Sequence, residues 1–156
     1  MHNLTSSCWD ISGLSEFSAK MDQSEFLHFD VTGKVITAVH RVYSKLGAGL
    51  PRDFYQNALT HELAQNNSKF SQGHPISVSY DAAVIGEWRA DLLVDDCVIV
   101  VLTAEREFDP LLESTLLNVL KASDFEVGVA VNFGDKLEFR RKVCGNRTKL
   151  RKLQSG

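Results

Sequence analysis

Gly86-Glu87-Trp88-Arg89-Ala90-Asp91-Leu92-Leu93-Val94, then Asp95-Asp96, then Cys97-Val98-Ile99-Val100-Val101-Leu102-Thr103: the fold turns on these eighteen residues. In the first segment Trp88, Ala90, Leu92 and Val94 alternate with Arg89, Asp91 and Leu93. That period places the two sets on opposite faces of a strand. Two aspartates follow, short polar residues suited to a hairpin turn. The last segment is almost wholly apolar and β-branched. A strand of that kind is covered on both faces, so helices must lie on either side of the sheet.

The flanking sequence supplies those helices. Upstream, Val35, Ile36, Val39, Val42, Tyr43 and Leu46 recur at helical spacing across Gly33–Leu46, and Gly47 ends the helix. A second helix opens at Pro51 or Arg52, since proline is tolerated in a first turn. Phe54, Tyr55, Ala58, Leu59 and Leu63 form its buried face, and Asn66-Asn67-Ser68 stops it. Ile76, Val78 and Tyr80 alternate with Ser77 and Ser79 as a half-buried strand. Downstream, Pro110–Ala122 is a helix with Leu112, Leu116, Val119 and Leu120 inward. Phe125–Val131 reads as a buried strand, Gly134-Asp135 as a turn and Leu137–Val143 as a closing strand. The expected fold class is α/β: a mixed central β-sheet flanked by helices, in the order α-α-β-β-β-α-β-β.

Composition bounds the function. The chain has 156 residues, enough for one domain, and 44% of them are hydrophobic, enough for a core. Its formal net charge of -3 gives no global field to attract a polyanion. The longest apolar run, near Val98–Leu102, is too short to span a bilayer, and no membrane role is expected. The start has no basic, then apolar, signal pattern. Cys8, Cys97 and Cys144 are scattered and include no CxxC pair, so neither a zinc site nor a disulfide framework is expected. Cytoplasmic placement follows as the expectation. Residues 1–30 form a net acidic extension, expected to be loosely ordered: Asp10, Glu16, Asp22, Glu25 and Asp30 face only Lys20. The domain proper runs over 31–143, and 144–156 is a basic tail.

Several blocks, taken together, resemble one family. They are the Val35–Gly49 helix and turn, Tyr55-Gln56-Asn57-Ala58-Leu59-Thr60-His61-Glu62-Leu63, Gly86–Val94, Val98-Ile99-Val100, Leu116-Leu117-Asn118 and Asn132-Phe133-Gly134. In order and spacing they resemble the GxxExxY family, a branch of the PD-(D/E)XK nuclease superfamily. The resemblance covers residues 31 to 143. It implies a PD-(D/E)XK nuclease-like sheet and metal-dependent phosphodiester hydrolysis. In that chemistry two carboxylates on adjacent strands hold Mg²⁺, a hard cation that takes oxygen ligands. A lysine two residues after the second carboxylate helps to activate the attacking water, and the metal stabilises charge on the phosphate. A glutamate on the second helix joins the cluster.

Mapped onto this chain, most of that set is gone. Asp91 matches the first sheet carboxylate. The second carboxylate falls at Val101 and the lysine at Thr103. The helix glutamate, three residues after Gly49, falls at Arg52, and a glutamine expected two residues after Glu113 falls at Thr115. Valine has no lone pair for a metal, and one carboxylate holds Mg²⁺ too weakly. Arg52, Asp91, Val101, Thr103 and Thr115 therefore read as a vestigial site with no catalytic residue and no metal; any metal would have to sit on Asp91. In place of the metal, Arg52 is expected to form an ion pair with Asp91, with Thr103 as a further donor and Arg89 as the rival partner. Removing Arg52 alone is expected to destabilise more than removing both partners.

Other residues carry weaker signals. Glu105 and Glu113 could rebuild a carboxylate set, which keeps open an alternative: a Mg²⁺-dependent nuclease with a rearranged site. His40, His61 and His74 lack ligand spacing, Trp88 reads as a packing residue, and no glycine-rich phosphate loop or nucleophile motif is present. Arg140, Arg141, Lys142, Arg147, Lys149, Arg151 and Lys152 form an acid-free run, able to bind nucleic acid weakly and without sequence preference. The acidic head of one copy could alternatively meet the basic tail of another. The expected function is a catalytically inactive nuclease-fold protein acting as a binding or assembly module, without cofactor, for a protein partner or a second copy.

Overall fold

A computed structural model of the chain describes residues 28–145 together with the backbone of Trp9 and Asp10. The elements are β1 (Trp9–Asp10), α1 (Phe29–Leu46), α2 (Arg52–Gln65), β2 (Phe70–Tyr80), β3 (Ala83–Val94), β4 (Val98–Thr103), α3 (Pro110–Lys121), β5 (Val127–Phe133) and β6 (Leu137–Val143). From α1 onward the order is α-α-β-β-β-α-β-β, as the sequence leads one to expect. The strands form one mixed sheet in the order β1-β6-β5-β4-β3-β2. Only β4 and β5 are parallel; the other neighbours are antiparallel. The parallel pair is joined through α3, the long crossover that parallel strands require.

Two apolar layers sandwich the sheet. Val35, Val39 and Val42 of α1 and Tyr55, Leu59 and Leu63 of α2 pack on Leu92, Val94, Val98, Val100 and Leu102. On the other face Leu116, Val119 and Leu120 of α3 pack on Leu93, Ile99, Val101 and Ala130. Every residue of β5 is buried. Asp109 caps α3, its carboxylate accepting the Leu111 N–H, and Pro110 occupies the first turn.

Four features depart from expectation. β2 begins at Phe70 rather than Ile76, because it lies at the sheet edge, where Pro75 costs no ladder bond. The alternation of β3 breaks at Asp91: Ala90 packs on the α3 side with Ile76, whereas Leu92 and Val94 face α1 and α2. Opposite this break Gly73 adopts φ 58°, a kink that a side chain would strain. Trp9 and Asp10 extend the sheet against Val143 and Lys142, so part of the expected loose extension is a strand. Cys144 is buried and disulfide-bonded while Cys97 is a free thiol, which corrects the expectation of no disulfide. The remainder of the acidic head, 1–8 and 11–27, lies outside the described residues, as does the tail from 146. No helix among the described residues is long and apolar enough to cross a membrane.

Candidate functional site: a strand fork clasped by an arginine

The β3–β4 ladder is short. It runs from Val94↔Val98 to Leu92↔Val100, and there the strands part. Asp91 is the first residue beyond the fork. Its Oδ2 accepts the main-chain N–H of Leu102 at 2.7 Å, so a side chain satisfies a donor left over where the ladder ends. Its Oδ1 accepts Nη1 of Arg52 at 2.8 Å. Both carboxylate oxygens of Asp91 are thus engaged.

Arg52 is delivered by the way α2 begins. Pro51 takes φ −60° and ψ 150°, and Arg52 is the first helical residue. The preceding turn is held by Tyr55, which is fully buried and stacked on Phe133 at 4.4 Å. Its hydroxyl donates to the Gly47 carbonyl at 2.5 Å and accepts the Leu50 N–H at 3.2 Å. One turn along α2, Gln56 Oε1 accepts Arg52 Nη1 at 2.8 Å. Gln56 Nε2 donates to the Asp91 carbonyl at 3.4 Å and to Gln72 Oε1 at 3.2 Å. Arg52 Nη2 donates to Asp53 Oδ1 at 3.0 Å. The side chains of Arg52 and Asp91 are 38% and 23% exposed, so water screens the pair only in part.

The remaining residues of the expected site do not join this cluster. Val101 is buried against α3, on the far side of the sheet from α2. Thr115 is half-buried on α3. Thr103 does not donate to Asp91; its hydroxyl lies 3.0 Å from Asn132 Oδ1 and 3.4 Å from the Val131 carbonyl. The cause is register: Thr103 stands opposite Asn132 on parallel β5. Asn132 is wholly buried and also accepts the Glu105 N–H at 2.9 Å and donates to the Glu105 carbonyl at 2.9 Å. It ties down the loop after β4, and Gly134 lets that loop approach, since a Cβ there would meet the Glu105 and Arg106 carbonyls. Arg89, the rival partner, donates to the Gly73 carbonyl at 2.6 Å.

Mg²⁺ needs several oxygens converging on one point. Here Asp91 accepts from Arg52 and Leu102, the side chains of β4 on the α2 side of the sheet are Val98, Val100 and Leu102, and the permanent charge of Arg52 stands 2.8 Å from Asp91 Oδ1. Among the described residues no three His, Cys, Asp or Glu side chains converge as a metal set. Glu113 forms an ion pair with Lys142 instead, and Glu105 is exposed on its loop. The residues present do not fit a divalent ion.

The proposed nucleic-acid residues need correction in part. Arg141 and Lys142 are 1% and 5% exposed. Both belong to β6, an interior strand between β5 and β1, whose last three residues are buried. Arg141 turns towards α1, its guanidinium 5.3 Å from the Phe29 ring and Nε 3.4 Å from Thr32 Oγ1. Lys142 turns towards α3 and Glu113. Arg140 is half-buried, 5.0 Å over the Phe108 ring and 3.6 Å from Glu138. Arg147, Lys149, Arg151 and Lys152 lie outside the described residues. Trp88 packs, half-buried, on the α3-side cluster.

Two groups escaped sequence reasoning. Gln56, four residues after Arg52 on one helix face, had a findable signal in that spacing. The Leu102 N–H had none, since only the fork makes it available.

A mixed sheet between two helical layers, with one carboxylate at a strand fork facing the start of a helix, defines a nuclease-like α/β domain. The chain belongs to the PD-(D/E)XK nuclease superfamily, whose family model matches residues 29–142. No match is found among curated proteins or among solved structures.

Proposed function

We propose that this chain is a nuclease-fold domain without nuclease chemistry, working as a binding or assembly module of the GxxExxY branch. The branch assignment draws support from Gly49-Leu50-Pro51-Arg52-Asp53-Phe54-Tyr55, which keeps the glycine and tyrosine at the branch's spacing. Tyr55 serves the fold by locking the turn, whereas the position between them, which would serve the metal, has become arginine. The observation that carries the reading is the double commitment of Asp91, to Arg52 on one oxygen and to Leu102 on the other. A carboxylate so engaged sits beside a permanent positive charge and lacks the local negative potential that recruits Mg²⁺. The module's partner is a protein or a second copy of this chain, and the tail residues Arg147, Lys149, Arg151 and Lys152 add weak, salt-sensitive contact with nucleic acid. Calorimetric titration of the wild type with Mg²⁺ and Mn²⁺ tests the reading. No saturable binding is expected; a one-to-one site abolished by Asp91→Ala would contradict it.

A further inference from the structure

β3 outruns the sheet. Its pairing with β4 stops at Leu92↔Val100, whereas its pairing with β2 continues through Arg89↔Pro75 out to Ala83↔Tyr80. Asp81 and Ala82, at φ 50° and 66°, close this arm as a tight two-residue turn. From Ala83 to Ala90, β3 thus has a strand on one side only, and alternate main-chain N–H and C=O groups face the other side. The tip is apolar yet open: Tyr80, Val84 and Ile85 are 67%, 66% and 66% exposed. Gly86 stands midway along the free edge. Its φ is not positive, and a Cβ there would meet nothing within 4 Å, so the chain's own fold gives no reason for a glycine. Glycine inside a strand weakens it and marks a close approach by another backbone. We infer that the free edge of β3 is the interface with a second copy of this chain, the two arms pairing antiparallel about a two-fold axis at Gly86. This names the partner of the proposed module and rests on that reading.

The side chains select the register. Trp88 and Ala90 face the α3 layer, so alternation puts Val84 and Gly86 on that face and Ile85, Glu87 and Arg89 on the other. A two-fold axis normal to the sheet keeps like faces together, so each residue meets only residues of its own set. An axis at Glu87 would oppose two like charges. An axis at Trp88 would drive the partner's Ile85 against Asp91, where the Leu102 N–H already lies 2.7 Å from the carboxylate. An axis at Ile85 would leave Trp88 facing the partner's turn. An axis at Gly86 sets Val84 opposite the partner's Trp88, twice over, and the partner's strand ends at its Ala83, opposite Arg89 and short of Asp91. Aromatic and β-branched residues make favourable cross-strand pairs, and an indole can lie over a glycine that has no Cβ to displace it. The outer edge of β2 does not extend the assembly: Gly73 kinks it, Pro75 has no N–H, and the register shifts between Val78 and Ser79. The pairing therefore closes as a dimer. Ser79 N–H, 2.9 Å from the Ala122 carbonyl, and Ile76 in the α3 layer hold the arm in place before it pairs. One arm makes a small interface, about 1,000 Å² in total, so the dimer is reversible, with a Kd on the order of micromolar.

The test is sedimentation equilibrium of the full chain from micromolar to sub-millimolar concentration, for the wild type, Gly86→Asp, Gly86→Lys and an equimolar mixture of the two variants. Circular dichroism checks that each is folded. The wild type should pass from monomer to dimer as concentration rises. Gly86→Asp and Gly86→Lys each set like charges opposite one another at the axis and should weaken the dimer by about tenfold or more. Their mixture sets opposite charges there and should recover the dimer. If neither Gly86 variant folds, Val84→Lys, which removes the contact with the partner's Trp88 from an exposed position, should show the same loss. A wild type that stays monomeric throughout, variants that dimerise like the wild type, or a mixture no better than its components overturns this inference and leaves the proposed function standing. Saturable Mg²⁺ binding that is lost in Asp91→Ala would overturn that function whatever the oligomeric state.

Discussion

Removing Asp91 and Arg52 singly and together measures what the fork is worth. Asp91→Ala deletes the partner of Arg52 and also the acceptor of the Leu102 N–H, which then faces a gap between β3 and β4. The pair lies between exposed ion pairs, worth about 0.2–1 kcal/mol, and charged hydrogen bonds, worth about 1.5–3 kcal/mol. With Arg52 38% exposed, about 1 kcal/mol of coupling is expected. Leaving the Leu102 donor unpaired costs about 1–3 kcal/mol more. Asp91→Ala should therefore cost about 2–4 kcal/mol, and Arg52→Ala about 1–2 kcal/mol through Asp91 and Gln56. The double variant should be less stable than Arg52→Ala alone. That order reverses the one expected of a carboxylate whose sole role is to pair with Arg52, because Asp91 also closes the fork. Urea denaturation followed by far-ultraviolet circular dichroism supplies the three values. Additive costs, or Asp91→Ala no worse than Arg52→Ala, would refute the clasp.

Further outcomes follow from the same packing. Gly134→Ala should destabilise by about 1–3 kcal/mol, since its Cβ meets backbone carbonyls and lies 2.7 Å from Asn132 Nδ2. Gly33→Ala, with nothing within 4 Å in α1, should stabilise by about 0.5–1 kcal/mol; equal thermal shifts for the two would contradict the account. Lys142→Met should cost about 3–5 kcal/mol alone and much less alongside Glu113→Leu, because the single change strands one partner of a pair whose lysine is buried. Burial first, and then the negative charge of Asp95, pushes the Cys97 thiol above its ordinary pKa. The thiolate is therefore scarce at neutral pH, and iodoacetamide should label Cys97 in the folded chain more slowly than in urea, with the rate rising only at alkaline pH.

Much of the fold was legible because periodicity reports burial directly. β4 and β5 are covered on both faces and read as unbroken apolar runs, while α1 shows a clear stripe. The first half of β2 was hidden because Gly73 and Pro75 look like strand breakers, and only an edge position makes them harmless. The turnover of β3 at Asp91 depends on tertiary packing and leaves no local pattern. The Arg52–Asp91 pair was legible because an unpartnered carboxylate in a partly buried place demands a cation. The partner of Thr103 was not, because parallel register with β5 brings Asn132 across from a distant part of the chain. Arg141 and Lys142 misled because a run of cations ordinarily marks a solvated surface. In an interior strand their side chains alternate between the two helical layers, against Phe29 and Thr32 on one side and Glu113 on the other.

Cleavage of plasmid and single-stranded DNA in Mg²⁺ and in Mn²⁺, comparing the wild type with Asp91→Ala, tests the central claim most directly. The account predicts that neither protein cuts above the protein-free background in either metal. Metal-dependent cleavage by the wild type that disappears in Asp91→Ala would contradict it, because Asp91 would then be serving a metal rather than Arg52 and the strand fork.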